Sequence, residues 1–73
     1  MSPLSLQVLN MFREMGEDRL DLHVLFETAG NIPAEREKVL GAIDELVREG
    51  LVEGTGSDYY TLTPKGRGNL ARH

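Results

Sequence analysis

The segment that most constrains the fold runs from Pro33 to Gly66. Its first part, PAEREKVLGAIDELVREG, places apolar residues at helical intervals and ends in a glycine. LVEGTGSDYYTLT follows at once, with two short runs of apolar, aromatic and β-branched residues around a glycine-rich stretch. Such a pattern is typical of a β-hairpin. We therefore expect one long helix that leads through Gly50 directly into a hairpin. The hairpin is expected to end at the PKG that follows.

A first helix is predicted over residues 3–15. Ser2 can cap its start, Pro3 suits its first turn and Gly16 can end it. At 100° per residue its core-facing stripe contains Leu4, Val8, Met11, Met15 and, at the edge, Phe12. Leu6 lies nearly opposite this stripe. It is either an ordinary exposed leucine or a contact through which two copies of the helix form a homodimer.

A second helix is predicted over Leu22–Ala29, with Asp21 as its cap and Gly30 at its end. Its expected buried face comprises Leu22, Leu25, Phe26 and Ala29. Residues 31–33 form a tight turn into the third helix, and two helices joined by such a turn are typical of a helix-turn-helix. The preceding residues 19–21 can add a short strand to the hairpin.

The third helix is predicted to run to about Glu49. Its apolar stripe contains Val39, Leu40, Ala42, Ile43, Leu46 and Val47, and its opposite face presents Ala34, Glu37, Lys38, Gly41, Asp44, Glu45 and Arg48. The hairpin strands are expected over residues 51–53 and 59–63, with a tip over 54–58.

Period-two alternation in the return strand turns Tyr60 and Leu62 inward, and Tyr59 and Thr61 outward. A last short helix is expected after Thr63, which can cap it. Gly66 and Gly68 are expected to weaken that helix, so that the end of the chain frays.

Two short motifs in this order resemble those of a known group of domains. They are Leu46–Val52, which reads LVREGLV, and Tyr60–Arg67, which reads YTLTPKGR. Over essentially the whole chain the pattern resembles the winged helix-turn-helix domains of MarR-, ArsR- and PadR-type prokaryotic transcriptional regulators. The fold class expected is α+β and mainly helical: a three-helix bundle with a β-hairpin wing, in one domain of 73 residues.

The resemblance implies binding to double-stranded DNA, with the third helix in the major groove and the wing near a phosphate backbone. It places Glu35, Arg36, Glu37, Lys38 and Gly41 in the groove. It also assigns the wing residues Thr55, Gly56, Ser57 and Asp58. Lys65 and Arg67 are further candidates for phosphate contacts, because DNA affinity rests largely on such cations. Arg19 and Arg48 are weaker candidates of the same kind.

The charge balance leaves a second interpretation open. Net charge is −4, and only the stretch from Pro64 onward is basic, with Lys65, Arg67 and Arg72 and no acid. The wing tip has Asp58 and no cation. The alternative function is therefore a protein-interaction module, an adaptor whose acidic surface contacts a partner. RNA binding is a third hypothesis.

Two exposed residues have both a functional and a structural interpretation. Gly41 lies in the middle of a helix, where glycine costs roughly 1 kcal/mol relative to alanine. Close approach by a DNA backbone, a base edge or a partner helix would explain it, and so would drift at a tolerant site. Tyr59 can stack on a sugar or base, anchor a protein interface or simply support the hairpin.

Enzymatic function is not expected. The two histidines are far apart in sequence, no cysteine is present, and no serine has an identifiable base partner. Gly54-Thr55-Gly56-Ser57 lacks the Lys-Ser/Thr ending of a phosphate-binding loop. We expect no metal, no cofactor and no membrane span, and a cytoplasmic location, since the N-terminus lacks the basic region and unbroken apolar run of a secretory signal.

Overall fold

The structure is a computed structural model and describes residues 1–71. Four helices and one three-stranded antiparallel sheet follow in the predicted order: α1 (Pro3–Glu14), β1 (Arg19–Asp21), α2 (Leu22–Ala29), α3 (Pro33–Arg48), β2 (Val52–Thr55), β3 (Tyr59–Leu62) and α4 (Pro64–Ala71). The prediction of a mainly helical α+β chain is thus confirmed. Arg72 and His73, and the fraying expected at the end of the chain, lie outside the described residues.

The helices begin and end next to the capping residues and glycines predicted from the sequence. The Ser2 hydroxyl accepts a hydrogen bond from the Ser5 amide at 3.1 Å and caps α1. The Asp21 carboxylate does the same for α2. Gly16 and Gly50 follow α1 and α3 with φ of +65° and +74°, a conformation that glycine adopts without a Cβ clash. The amides at and after each glycine bond back to the last turn, which is the Schellman arrangement.

The sheet has the strand order β1-β3-β2, and β3 pairs antiparallel with both neighbours. The prediction for the first hairpin strand was wrong at its end: β2 extends to Thr55 instead of stopping at Glu53. Gly54 and Thr55 continue the ladder opposite Tyr60 and Tyr59. The tip is therefore only residues 56–58.

The core lies between α1, α3 and the inner side of the sheet. Its buried apolar residues are Val8, Leu9, Met11, Phe12, Leu20, Leu25, Val39, Ala42, Ile43, Leu46, Leu51, Val52, Leu62 and Leu70. Leu62 is buried as predicted, and Tyr60 packs partly against this cluster. Of the predicted α2 face, only Leu25 is fully buried, and the other three residues are half-covered at its margin.

Three apolar residues expected in the core are instead exposed. Met15 is 47% exposed because α1 ends at Glu14 and Met15 is its cap residue. Leu40 and Val47 are 43% and 40% exposed because the elements packed on α3 leave that side of the helix uncovered. The buried stripe of α3 is thus narrower than the apolar stripe of its sequence.

The start of α4 is hydrogen-bonded to the carbonyl groups that follow α3. The Thr63 hydroxyl donates to the Gly50 carbonyl at 2.6 Å, and Lys65 Nζ donates to the Glu49 carbonyl at 2.7 Å. Thr63 also accepts from the Gly66 amide, so it caps α4 as predicted. Gly66 is buried against the Leu51 backbone, where a Cβ would overlap the carbonyl oxygen. Gly66 was expected to weaken α4, and the structure adds a second role: its lack of a side chain is what lets α4 dock.

Candidate nucleic-acid interface

The first two turns of α3 form the most open part of the predicted site. Residues 33–38 are all exposed, and they include Glu35, Arg36, Glu37 and Lys38. Ile32 precedes the helix and provides no side-chain cap, in contrast to the residues before α1 and α2. The first backbone N–H groups of a helix carry a partial positive charge and are available to an anion when they are not capped.

Arg36 is held in place by two neighbours that the sequence analysis did not identify. Its Nε and Nη2 donate to the Asn31 side-chain oxygen at 3.1 and 2.8 Å. Its guanidinium carbon lies 5.1 Å from the centre of the Phe26 ring. These contacts pre-orient the side chain at the α2–α3 turn. No periodic signal marks Asn31, because it precedes the helix and bonds back across the turn.

Lys38 and Gly41 lie one turn further along α3. Within residues 1–71, the Lys38 side chain has no hydrogen-bond or ion-pair partner. A Cβ added at Gly41 would meet no atom within 4 Å. The fold therefore supplies no internal reason for glycine at this position.

The hairpin group is a separate part of the predicted site. The Thr55 and Thr61 hydroxyls share a hydrogen bond of 3.0 Å across the strands, while Gly56 and Ser57 are exposed at the tip. Thr61, expected to face outward, is half-buried by this contact. Among the described residues no hydrogen bond or ion pair joins the hairpin to residues 35–41.

Tyr59 faces outward as predicted and is 39% exposed. The guanidinium carbon of Arg19 lies 4.2 Å from the centre of its ring. One face of the ring is therefore covered by this cation. The next residue toward the tip, Asp58, accepts a backbone hydrogen bond from Leu22 at 2.8 Å, which joins the hairpin to the start of α2.

Lys65 and Arg67 are not brought to the start of α3. Lys65 binds the Glu49 carbonyl at the far end of that helix, and 16 residues of helix span about 24 Å. The Arg67 guanidinium is 2.8 Å from the Asp18 carboxylate. Both cations thus have internal partners, and the partner of Lys65 lies at the opposite end of α3 from its first turns.

Two acidic residues on α3 also have defined roles. Asp44 forms an exposed ion pair with Arg48 at 3.1 Å. Glu45 contacts the start of α1: hydrogen bonds from the Ser5 hydroxyl, and then from the Ser2 amide, lower the pKa of its carboxyl below the ordinary value. Asp44 thus neutralises a cation of the candidate interface, whereas Glu45 stabilises the packing of α1 on α3.

Residues 1–71 contain neither a candidate metal site nor a membrane-spanning helix. Between residues 1 and 71 no three His, Cys, Asp or Glu side chains are grouped as metal ligands would be. No helix in that range combines the length and apolar character needed to cross a bilayer. Comparisons with models of protein families, with curated protein sequences and with solved structures gave no match.

Proposed function

We propose that this chain is a winged helix-turn-helix protein that binds double-stranded DNA and regulates transcription in the cytoplasm. In this proposal α2 and α3 are the helix-turn-helix, and the β2–β3 hairpin is the wing. The start of α3 enters the major groove, which is wide enough to admit a helix. The Gly56-Ser57 tip approaches a phosphate backbone.

The observation that carries the proposal is the open surface at the start of α3. Residues 33–38 are exposed, Lys38 is available, and Gly41 extends the surface by one turn without a side chain. A mid-helix glycine costs roughly 1 kcal/mol. Since no atom of the fold requires it, close approach from outside is the explanation we adopt.

Arg36 and Lys38 have different roles in this proposal. Arg36 is pre-oriented by Asn31 and Phe26, which lowers the side-chain entropy lost on binding and suits it to a guanine edge. The Lys38 side chain has no partner among the described residues and suits a phosphate. Homodimerisation, for which Leu6 on α1 is the candidate contact, would present two such helices to half-sites one helical turn apart.

The test is fluorescence anisotropy with a random-sequence duplex pool over a range of salt concentrations. The logarithm of the binding constant should fall linearly with the logarithm of salt concentration, by about 0.9 per phosphate neutralised. Lys38→Gln should weaken binding about five- to tenfold at low salt and reduce the slope by about one contact. Arg13→Gln, which removes the same charge from the exposed side of α1, is the matched control. It should change neither the affinity nor the salt slope.

Gly41→Ala provides a second variant for the same assay. It should stabilise the free protein by about 0.5–1 kcal/mol, because alanine favours the helix and meets no neighbour. It should also weaken duplex binding. Absence of duplex binding at low salt, or equal effects of Lys38→Gln and Arg13→Gln, would contradict the proposal.

A protein-interaction module is the second candidate, and one feature of α3 favours it. Leu40, Asp44 and Val47 stand at i, i+4 and i+7 and form an exposed apolar and acidic stripe. Asp44→Lys discriminates the two functions, since it should disrupt a protein complex and leave duplex binding intact or stronger. Glu45 is a poor probe because its carboxylate also holds Ser2.

A further inference from the structure

A cleft lies beside the edge strand β1, apart from the start of α3 and the Gly56-Ser57 tip that the proposed function places on DNA, although Tyr59 and Arg19 line it. Its volume is about 440 Å³, within the usual range for small-molecule sites. The apolar part of its lining is Met15, Leu20, Val24 and Tyr59. These side chains come from the α1–β1 connection, β1, α2 and the start of β3, so the tertiary fold alone assembles the cleft.

Two of the lining residues keep apolar surface that the fold does not cover. Met15 is 47% exposed and Tyr59 is 39% exposed. Leu20 is almost fully buried and forms part of the floor. An occupant with an apolar body would cover the exposed methionine and tyrosine surfaces together.

The charged groups of the lining favour a cation. Glu17 and Asp21 contribute two carboxylates and Arg19 contributes one guanidinium. The Asp21 carboxylate already caps α2. No hydrogen bond or ion pair of the Glu17 carboxylate is recorded within residues 1–71, which leaves it available to an occupant.

The Tyr59 ring gives a second indication of the same kind. Arg19 places its guanidinium carbon 4.2 Å from the ring centre, in the geometry of a cation–π contact. The ring face is therefore used as a cation-binding surface within the protein itself. A ligand cation that entered the cleft would meet the same ring and would compete with Arg19 for it.

We propose that this cleft binds a free small organic cation with an apolar body, of the arylalkylammonium class. Glu17 pairs with the ammonium group, which also meets the Tyr59 ring, while Met15 and Val24 pack on the apolar body. The volume of the cleft suits a small molecule. This site does not depend on DNA binding, so either proposal can fail without the other.

The test is nuclear magnetic resonance of the uniformly ¹⁵N-labelled chain, titrated with 2-phenylethylammonium. Saturable shifts are expected at the amides of Leu20, Val24 and Tyr59 and in the connection after Met15. The anion 3-phenylpropanoate, of similar size and opposite charge, is the matched control and should shift none of them. No saturable shift at these amides, or an equal response to the anion, would overturn the proposal.

Three further variants test the roles of the charged groups. Glu17→Gln should weaken binding of the cation about fivefold, which is the scale of one exposed ion pair. Glu53→Gln, at an exposed site on the other edge strand, should have no effect. Arg19→Gln should tighten binding two- to fivefold, because it frees the Tyr59 ring and removes a like charge. Equal weakening by both glutamate variants, or weakening by Arg19→Gln, would refute the assignment.

Discussion

Replacing Gly66 with alanine tests how α4 is held on the rest of the protein. A Cβ at this position would overlap the Leu51 carbonyl oxygen and lie 2.7 Å from Cδ1 of Leu62. The leucine methyl group can rotate away, but the carbonyl belongs to the backbone that leads from α3 into β2. Helix α4 must therefore move away from Leu51 to accommodate the methyl group.

The expected loss follows from three contributions. Forcing an extra methyl group into a close-packed site costs about 1–3 kcal/mol. The movement of α4 also lengthens the 3.1 Å hydrogen bond from the Thr63 amide to the Leu51 carbonyl, which is worth about 1 kcal/mol net. Alanine returns up to about 1 kcal/mol through its higher helix propensity. Gly66→Ala should therefore lower the free energy of unfolding by about 1–3 kcal/mol.

Gly68→Ala is the matched control, because it makes the same chemical change two residues further along α4. A Cβ there meets no atom within 4 Å, so only the gain in helix propensity remains, about 0.5 kcal/mol. Urea unfolding followed by circular dichroism at 222 nm measures both variants. In thermal unfolding, each kcal/mol corresponds to about 4–8 °C for a domain of this size. Equal changes in the two variants, or stabilisation by both, would refute the proposed close contact between α4 and Leu51.

Two further predictions concern residues at the C-terminal part of α3: Glu45 binds the start of α1, and Lys65 binds the Glu49 carbonyl. Hydrogen bonds lower the pKa of Glu45 in the folded state. The Glu45 carboxylate therefore stabilises the folded protein above the ordinary pKa of 4.5, and this stabilisation is lost as pH falls through the lower folded pKa. Glu45→Gln should thus be less stable than the parent at pH 7, with the difference shrinking below pH 4.5 in urea titrations; a difference independent of pH would contradict this. Lys65→Gln should lower stability by about 0.5 kcal/mol through loss of a cation at the helix C-terminus, and should leave duplex affinity unchanged. A large loss of affinity would instead place α4 on the DNA.

The element boundaries were largely determined by local sequence. Ser2 and Asp21 cap helices because their oxygens reach amides only two or three residues away. Gly16 and Gly50 end helices because their own φ angles permit the reversal. Interactions of this kind involve neighbours in the chain, so a pattern of residues is sufficient to predict them.

The tertiary structure decided which of the predicted surfaces remain open. The periodicity of α3 marks Leu40 and Val47 as apolar but does not state how much of the helix its neighbours cover. Nor does sequence distinguish Gly66, which makes room for Leu51, from Gly68, which meets nothing.

At the candidate interface, too, the sequence does not show which side chains remain available. The sequence identified the cations, but their availability depends on residues that approach from other elements. Asn31 orients Arg36 across a turn, Asp18 neutralises Arg67 from 49 positions away, and the end of α3 engages Lys65. Local sequence thus determined where the helices and strands lie, because capping and periodicity are short-range. Only the tertiary structure decided which charges and apolar residues are free to bind, because long-range packing selects their partners.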